Sequence, residues 1–253
     1  MSDRGPAHFR REDVQHWLLL AERAASAGAK ALAAAGAQGG EVVREEGRET
    51  KIVGDLTSEE AVISVLRASS PFGLLSEEAG EVEAGSAGGA RWIVDPLDGS
   101  LNYHRGIPLS AVSVALWVGD EPLIGVLNDP RRGDVYTGVV GQGAWLNGAP
   151  IRTSEIDAAE NAVLCTGFPV SMETSVEAIH SHTARVRAFK KVRMLGSAAL
   201  SLALCGVRAR GRVLGRGDQA VGHRGRRRAG AGGRRGRANR TGPAVSDEEG
   251  LGR

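Results

Sequence analysis

The sequence is poor in cysteine and in aromatic residues, and it has no long apolar run. Two cysteines, Cys165 and Cys205, are too few for a disulfide framework, which favours a reducing cytoplasmic compartment. No apolar stretch approaches the roughly 18 residues needed to cross a bilayer, and residues 1–11 are too polar for a signal peptide. We therefore expect a cytoplasmic protein that does not span a membrane.

The composition is otherwise that of a soluble globular protein with an anomalous C-terminal segment. Of the 253 residues, 42% are hydrophobic and 25% are charged, as in ordinary folded domains. Residues 204–253, however, hold 13 arginines against 4 acidic residues and none of the aromatic side chains. Such a segment cannot bury enough apolar surface to offset the entropy lost on ordering. We therefore predict a folded domain over residues 1–203 and a disordered tail over residues 204–253.

The spacing of apolar residues predicts helices and strands without a regular βαβ alternation. Helices are predicted at residues 10–35, at 58–68 with Ser58 as N-cap, at 172–189 and from 196 onward. Strands are predicted at residues 39–54, 72–75, 91–94, 163–168 and in a meander over 110–151, with a loop at 80–89. This mixture favours an α+β layered sandwich.

Four carboxylates lie where predicted apolar segments give way to polar loops: Asp55, Glu78, Asp95 and Asp98. Crowded carboxylates repel one another unless cations lie between them, and hard oxygen ligands favour Mg²⁺. If a helix begins near Ser100, the amides of Gly99 and Ser100 would suit a phosphate group. Metals beside a phosphate predict phosphoryl chemistry by metal-activated water. The Asp-Pro-x-Asp-Gly pentapeptide taken alone is more typical of a simple turn, because Asp, Pro and Gly are the commonest turn residues.

The longer segment around those aspartates carries a specific resemblance. Residues 92–103, Trp-Ile-Val-Asp-Pro-Leu-Asp-Gly-Ser-Leu-Asn-Tyr, closely resemble the signature of the inositol monophosphatase family. Ser-Glu-Glu-Ala-Gly at 76–80 and Asp-x-x-x-Glu at 55–59 resemble its upstream elements. Residues 143–148 resemble its hairpin, and residues 195–199 its substrate-side helix start. The resemblance covers residues 10–203 and implies the layered α/β/α/β/α sandwich of inositol monophosphatase and fructose-1,6-bisphosphatase. Beyond these residues we expect a C-terminal part that is not native-like.

The resemblance also implies roles for individual residues. Glu78, Asp95 and the carbonyl of Leu97, joined by Ser100, would bind a first Mg²⁺. Asp95 and Asp98 would bridge to a second, and Glu77 would bind a third, weaker ion through water. Asp55 and Ser100 would orient the attacking water, with Glu78 beside them in the catalytic set. Ser100 stands where the family usually has threonine, so the hydroxyl is retained.

The implied substrate contacts lie on two segments. The amides of Gly99 and Ser100 would hold the phosphate, with Asp98 beside them. Ser197 and Ala198 would face the sugar or inositol ring. The expected activity is Mg²⁺-dependent, lithium-sensitive hydrolysis of a small phosphorylated substrate, foremost inositol 1-phosphate. Fructose 1,6-bisphosphate and a nucleotide bisphosphate are alternatives, and the resemblance further implies a homodimer.

The resemblance stops near Leu204. The family continues with a Trp-Asp element whose aspartate completes the second metal site, whereas residues 204–253 contain no tryptophan. Our hypothesis is that this tail is translated in a shifted frame, since residues 218–223 can be encoded by codons that, read one base later, give Ile-Lys-Leu-Trp-Asp. Loss of the ligand predicts weak activity and poor solubility. The alternative is a non-catalytic descendant whose basic tail binds anionic partners. Nucleic acid is disfavoured as that partner because no aromatic residues interleave the arginines.

Overall fold

The computed structural model describes residues 10–46, 49–86, 89–167, 175–206 and 211–213. The helices are α1 Arg11–Ala35, α2 Val53–Ser69, α3 Ser100–His104, α4 Val176–Arg187 and α5 Ala198–Gly206. The strands are β1 Val42–Glu46, β2 Glu49–Ile52, β3 Phe72–Ser76, β4 Gly80–Ser86, β5 Ala90–Asp98, β6 Ala111–Val118, β7 Glu121–Asp129, β8 Asp134–Val139, β9 Gly143–Leu146, β10 Ala149–Ile151, β11 Val163–Cys165, β12 Lys191–Arg193 and β13 Gly211–Val213. Across these residues, no helix has both the length and the apolar character needed to span a bilayer.

Eight strands form the central sheet, in the order β10-β9-β8-β7-β6-β5-β3-β4. All neighbours are antiparallel except β3 and β5, which run parallel. The predicted meander is confirmed as β6 to β10, because short turns connect these neighbouring strands. The parallel pair carries Glu77 and Glu78 just beyond the end of β3 and Asp95 near the end of β5, so both acidic segments reach the same edge of the sheet.

Alternating residues of the central strands divide the core between the two faces of the sheet. Val112, Val114 and Leu116 of β6 belong to the large core that includes α1 and α2. Ala111 points to the opposite face and packs with Ala199 and Leu200 of α5. Helix α5 also contacts β11 and β13 of a small parallel sheet, ordered β12-β11-β13. The layers are therefore α1 with α2, the eight-stranded sheet, α5 and the small three-stranded sheet, as predicted for a layered α+β sandwich.

Helix α1 forms as the apolar spacing predicts. Val14, Leu18, Ala21 and Ala25 are all buried against the core, and the helix ends at Gly36, whose φ of 52° favours glycine. Tyr103 ties the short helix α3 to α1, since its hydroxyl donates to the Leu32 carbonyl at 2.7 Å. The site-bearing helix is thereby fixed to the largest core.

Two local predictions were wrong. Helix α2 begins at Val53 rather than at Ser58, and Ser58 lies fully buried inside it with its hydroxyl donating to the Pro96 carbonyl at 2.7 Å. Residues 80–86 form strand β4 instead of a loop, paired with β3 at the sheet edge. An edge strand pairs on one side only and need not be apolar. The glycines and glutamates of β4 therefore gave no clear strand pattern in the sequence.

Part of the predicted tail is described. Residues 204–206 complete α5, and residues 211–213 form β13, which pairs in parallel with β11. Residues 207–210 and 214–253 lie outside the described residues, as do residues 168–174 at the predicted strand end and helix start. Cys165 of β11 is buried.

Gly28 sets how closely α1 approaches α2. A Cβ at this position would lie 2.7 Å from Ser58 Oγ and 2.8 Å from Val62 Cγ2. We expect Gly28→Ala to lower the free energy of unfolding, because overpacking costs about 1–3 kcal/mol and the gain in helix propensity is about 1 kcal/mol. Urea unfolding measures the change. The exposed Gln15→Ala on the same helix is the control, and a Gly28→Ala protein as stable as that control would contradict the close packing.

Candidate active site

The end of β5 presents the central motif of the site. The pairing of β5 with β6 is irregular between Asp95 and Asp98, where Pro96 has no amide hydrogen to donate. Asp95 is 6% exposed, and its Oδ1 accepts from the Leu97 amide at 3.2 Å. Gly99 follows with a φ of 92°, and a Cβ there would lie 2.8 Å from the Leu109 carbonyl oxygen. The turn therefore requires glycine, and it places the amide of Ser100 at the start of α3.

Asp55 and Ser100 form the central contact of the site. Asp55 Oδ2 accepts from the Ile52 amide at 2.7 Å, and its Oδ1 accepts from Ser100 Oγ at 2.7 Å. Ser100 Oγ also lies 2.9 Å from the carbonyl oxygen of Leu97. The first turn of α2 is thus joined to the first turn of α3 through one carboxylate and one hydroxyl. Three residues predicted for the site, Asp55, Leu97 and Ser100, are in one hydrogen-bonded group.

Burial changes the acidity of Asp55. This residue is 2% exposed, and desolvation raises its pKa from 3.8 to about 6. The Ile52 and Ser100 hydrogen bonds and the Lys51 ammonium oppose the rise, whereas the charge of Glu78 adds to it. A carboxylate with such a pKa can exchange a proton near neutral pH.

Glu78 lies in the turn between β3 and β4, and the structure pairs it with a lysine. Its Oε2 forms an ion pair with Nζ of Lys51 on β2. Glu59 of α2 holds the same turn, since its Oε1 accepts from the Ala79 amide at 2.9 Å and from the Ser76 hydroxyl. Glu77 is exposed, and its amide donates to the Val94 carbonyl at 3.1 Å. Glu59 therefore fixes the turn that carries Glu77 and Glu78.

Asp98 is held by the start of α5. Its Oδ2 accepts from Ser197 Oγ at 2.5 Å and from the Ala199 amide at 2.6 Å, and its Oδ1 accepts from the Ala198 amide at 3.3 Å. Ser197 caps the helix, because its Oγ accepts from the Leu200 amide at 3.2 Å. The predicted substrate residues Ser197 and Ala198 are thus joined to the motif almost one hundred residues earlier in the chain.

Sequence reasoning gave no role to two residues that position this site. Lys51 belongs to no motif, and only the structure shows its contact with Glu78. Asn102 was quoted within the signature, but its two contacts were missed: its Nδ2 donates to the carbonyls of Leu109 at 2.8 Å and Leu195 at 2.7 Å. A buried asparagine inside a recognised motif is the signal that could have indicated such a bridge.

The donor set of the site fits Mg²⁺ chemically. Asp95 and Glu78 offer carboxylate oxygens and Leu97 a carbonyl oxygen, the ligand types that this ion prefers. Among the residues that the structure describes, however, no three acidic, histidine or cysteine side chains are grouped to hold a metal ion. Two of the predicted ligands are engaged by protein donors, Glu78 by Lys51 and Asp98 by the start of α5.

Comparison with known proteins agrees with the motif. The model of the inositol monophosphatase family matches residues 13–212. The chain belongs to the inositol monophosphatase family. The match begins inside α1 and ends within β13, so every segment of the candidate site lies in the family region.

Individual curated proteins and solved structures match parts of the chain. Nus factor SuhB of Haemophilus influenzae is 36% identical over 150 residues, which are 58% of this chain and 56% of that protein. Inositol monophosphatase of Mesembryanthemum crystallinum is 39% identical over 120 residues, which are 46% of this chain and 43% of that protein. The chain thus spans about half the length of these curated relatives. The solved inositol monophosphatase of Anabaena has a TM-score of 0.66 at 29% identity, covering 77% of this chain and 73% of its own.

The pKa of Asp55 predicts how the stability of the metal-free protein depends on pH. The folded state holds this proton more tightly than the unfolded state, so the free energy of unfolding falls as pH rises from about 4 to about 6. A shift of about 2 pH units corresponds to at most about 3 kcal/mol. We expect Asp55→Asn, which cannot ionise, to show a smaller fall than the wild type.

Urea unfolding between pH 4 and 7 with a chelator present measures this effect. Asp157→Asn, in an exposed loop, is the control and should keep the wild-type fall. An identical fall in Asp55→Asn would contradict the assignment of the raised pKa to Asp55.

Proposed function

We propose that this protein is a Mg²⁺-dependent phosphatase of small phosphate monoesters, with inositol 1-phosphate as the foremost substrate. The observation that carries the proposal is the contact of buried Asp55 with Ser100 and, through it, with the Leu97 carbonyl. Leu97 and Ser100 belong to the same motif as Asp95, whose Oδ1 accepts from the Leu97 amide. Membership of the inositol monophosphatase family also supports phosphatase chemistry.

The proposed metal ligands are the oxygens already described. Glu78, Asp95 and the Leu97 carbonyl would hold one Mg²⁺, Asp95 with Asp98 a second, and Glu77 a third through water. When bound, Mg²⁺ supplies Lewis-acid polarisation of phosphoryl oxygens and lowers the pKa of water. Two of these carboxylates, Asp95 and Asp98, lie three residues apart at the end of β5.

Asp55 and Ser100 would manage the proton of the attacking water. Asp55 Oδ2 is fixed by the Ile52 amide, so its Oδ1 keeps a constant direction toward Ser100 Oγ. While that hydroxyl donates to Asp55, its oxygen lone pairs can accept a hydrogen bond from water. A proton leaving the water would pass to Ser100 Oγ as the serine proton passes to Asp55 Oδ1. The raised pKa of Asp55 suits it to receive that proton.

The same segments would bind the substrate. The amides of Gly99 and Ser100 would donate to the phosphate, and Asp98 would orient the neighbouring ring hydroxyls. Ser197 and Ala198 would contact the ring of the substrate, since both donate hydrogen bonds to Asp98 and so lie next to the motif. Fructose 1,6-bisphosphate and nucleotide bisphosphates are the alternative substrates. Release of phosphate from a panel of these esters decides among them.

A second candidate is a non-catalytic family member. Two observations favour it: Glu78 and Asp98 are held by protein donors, and the Haemophilus influenzae relative is named Nus factor SuhB rather than a phosphatase. In this case the arginine-rich tail would bind an anionic partner. The two candidates differ in Mg²⁺-dependent, lithium-inhibited phosphate release, which only the enzyme shows.

We also propose that the tail limits the activity of this chain. Residues 204–253 contain no tryptophan and so lack the Trp-Asp element that the family places after this helix. Turnover should therefore be weak, and a chain with the reading frame restored from about Leu204 should be more active and more soluble. Sequencing the gene tests the proposed frame change directly. A cytoplasmic homodimer is the proposed assembly.

Asp95→Asn tests the metal role. Removing one negative oxygen from the shared ligand should abolish Mg²⁺-dependent phosphate release and weaken Mg²⁺ uptake measured by calorimetry. Asp157→Asn makes the same chemical change in an exposed loop and should leave both unchanged. If neither the chain nor its frame-restored form released phosphate from any ester in the panel, the phosphatase proposal would fail.

Ser100→Ala and Ser100→Thr test the proton path. We expect alanine to lower kcat by about 10²-fold, because general acid–base catalysis contributes about 10²–10⁴-fold. Threonine keeps the hydroxyl and should retain most of the activity. The rates are compared on the more active, frame-restored chain. An alanine variant as active as the threonine variant would rule out the hydroxyl as a proton carrier.

A further inference from the structure

Lys51 brings a positive charge into the acidic site. Its ammonium pairs with Glu78 Oε2, and the side chains of the two residues are only 29% and 21% exposed. Lys51 lies on β2 directly before Ile52, whose amide holds Asp55 at 2.7 Å. The strand that fixes Asp55 therefore also supplies the cation beside Glu78.

The charges of these residues act as one group. Both Lys51 and Glu78 influence the acidity of Asp55, the lysine favouring its charged form and the glutamate opposing it. An ammonium carries three donors and no acceptor, so it occupies a carboxylate oxygen that a metal ion would use. A divalent cation and Lys51 would thus meet at the same ligand and repel each other.

We propose that Lys51 is a built-in cation that competes with Mg²⁺ for Glu78 and thereby sets how tightly the site binds the metal. This inference rests on the proposed function, because it concerns the same metal site. The ion pair keeps Glu78 neutralised in the metal-free protein, and Mg²⁺ binding moves the lysine away from that carboxylate.

The fold allows this movement. Strands β1 and β2 form a separate two-stranded hairpin whose register is irregular between Val42 and Arg44. Such a hairpin has little stability of its own, and within the described part of the chain no strand of the eight-stranded sheet pairs with it. Lys51 can therefore shift without breaking the central sheet. The backbone beside Lys51 stays fixed, because the Ile52 amide donates to Asp55 Oδ2 and the Val53 amide donates to the Glu41 carbonyl at 2.9 Å, so the movement is one of the Lys51 side chain.

Calorimetric titration with Mg²⁺ at pH 7.5 tests the proposal on the full chain. We expect Lys51→Met to bind Mg²⁺ about tenfold more tightly than the wild type, because a like charge next to the ion is removed. Lys30→Met removes the same charge from an exposed position on α1 and should bind as the wild type does. Lys51→Gln gives the same charge change with a polar side chain and is used if the methionine variant does not fold.

A second measurement distinguishes competition from a purely structural ion pair. The rise in Tm on adding Mg²⁺ should be larger for Lys51→Met than for the wild type, and Glu78→Gln should remove most of that difference. Equal or weaker Mg²⁺ binding by the Lys51 variants would overturn the proposal while leaving the phosphatase proposal intact. If neither the wild type nor any Lys51 variant took up Mg²⁺, the metal site itself would fall, and this inference with it.

Discussion

The hydrogen bond between the buried carboxylate of Asp55 and the hydroxyl of Ser100 is the interaction on which the site depends. It joins the first turn of α2 to the first turn of α3, and it leaves Asp55 with no freedom to turn, because the Ile52 amide holds the other oxygen. Burial of a carboxylate is costly unless its oxygens are satisfied. Here both are satisfied by donors that also fix the geometry, so the same two bonds stabilise the fold and oppose the rise in the pKa of Asp55 that burial causes.

Charge balance explains the rest of the arrangement. Glu78, Asp95 and Asp98 are brought to one edge of the sheet, where like charges repel. In the metal-free protein, the Lys51 ammonium neutralises Glu78, and the amides and hydroxyl at the start of α5 satisfy Asp98. A helix N-terminus favours a carboxylate, so this contact also attaches α5 and the small sheet to the motif. These are the contacts that a metal ion bound at the proposed site would have to displace.

Membership of the inositol monophosphatase family and the geometry of the site support each other without being the same evidence. The family match covers residues 13–212, whereas the aligned relatives share about half of their length with this chain. The region matched by the family contains Asp55, Glu78 and the Asp95–Ser100 turn. Residues 204–253 contain no Trp-Asp pair, so the proposed second metal site is the part of the resemblance that this sequence does not reproduce.

The sequence by itself determined the family, the layered α+β class, helix α1, the strand meander and the residues of the motif, because these follow from local spacing and from contiguous segments. It misplaced the start of α2 and the edge strand β4, where burial of Ser58 and pairing with β3 override local preference. Only the tertiary structure decided that Lys51 pairs with Glu78, that Asn102 bridges Leu109 and Leu195, and that Asp98 holds α5. Those contacts join different elements, several of them far apart in the chain, and a local pattern carries no information about which distant donor will satisfy a buried acceptor.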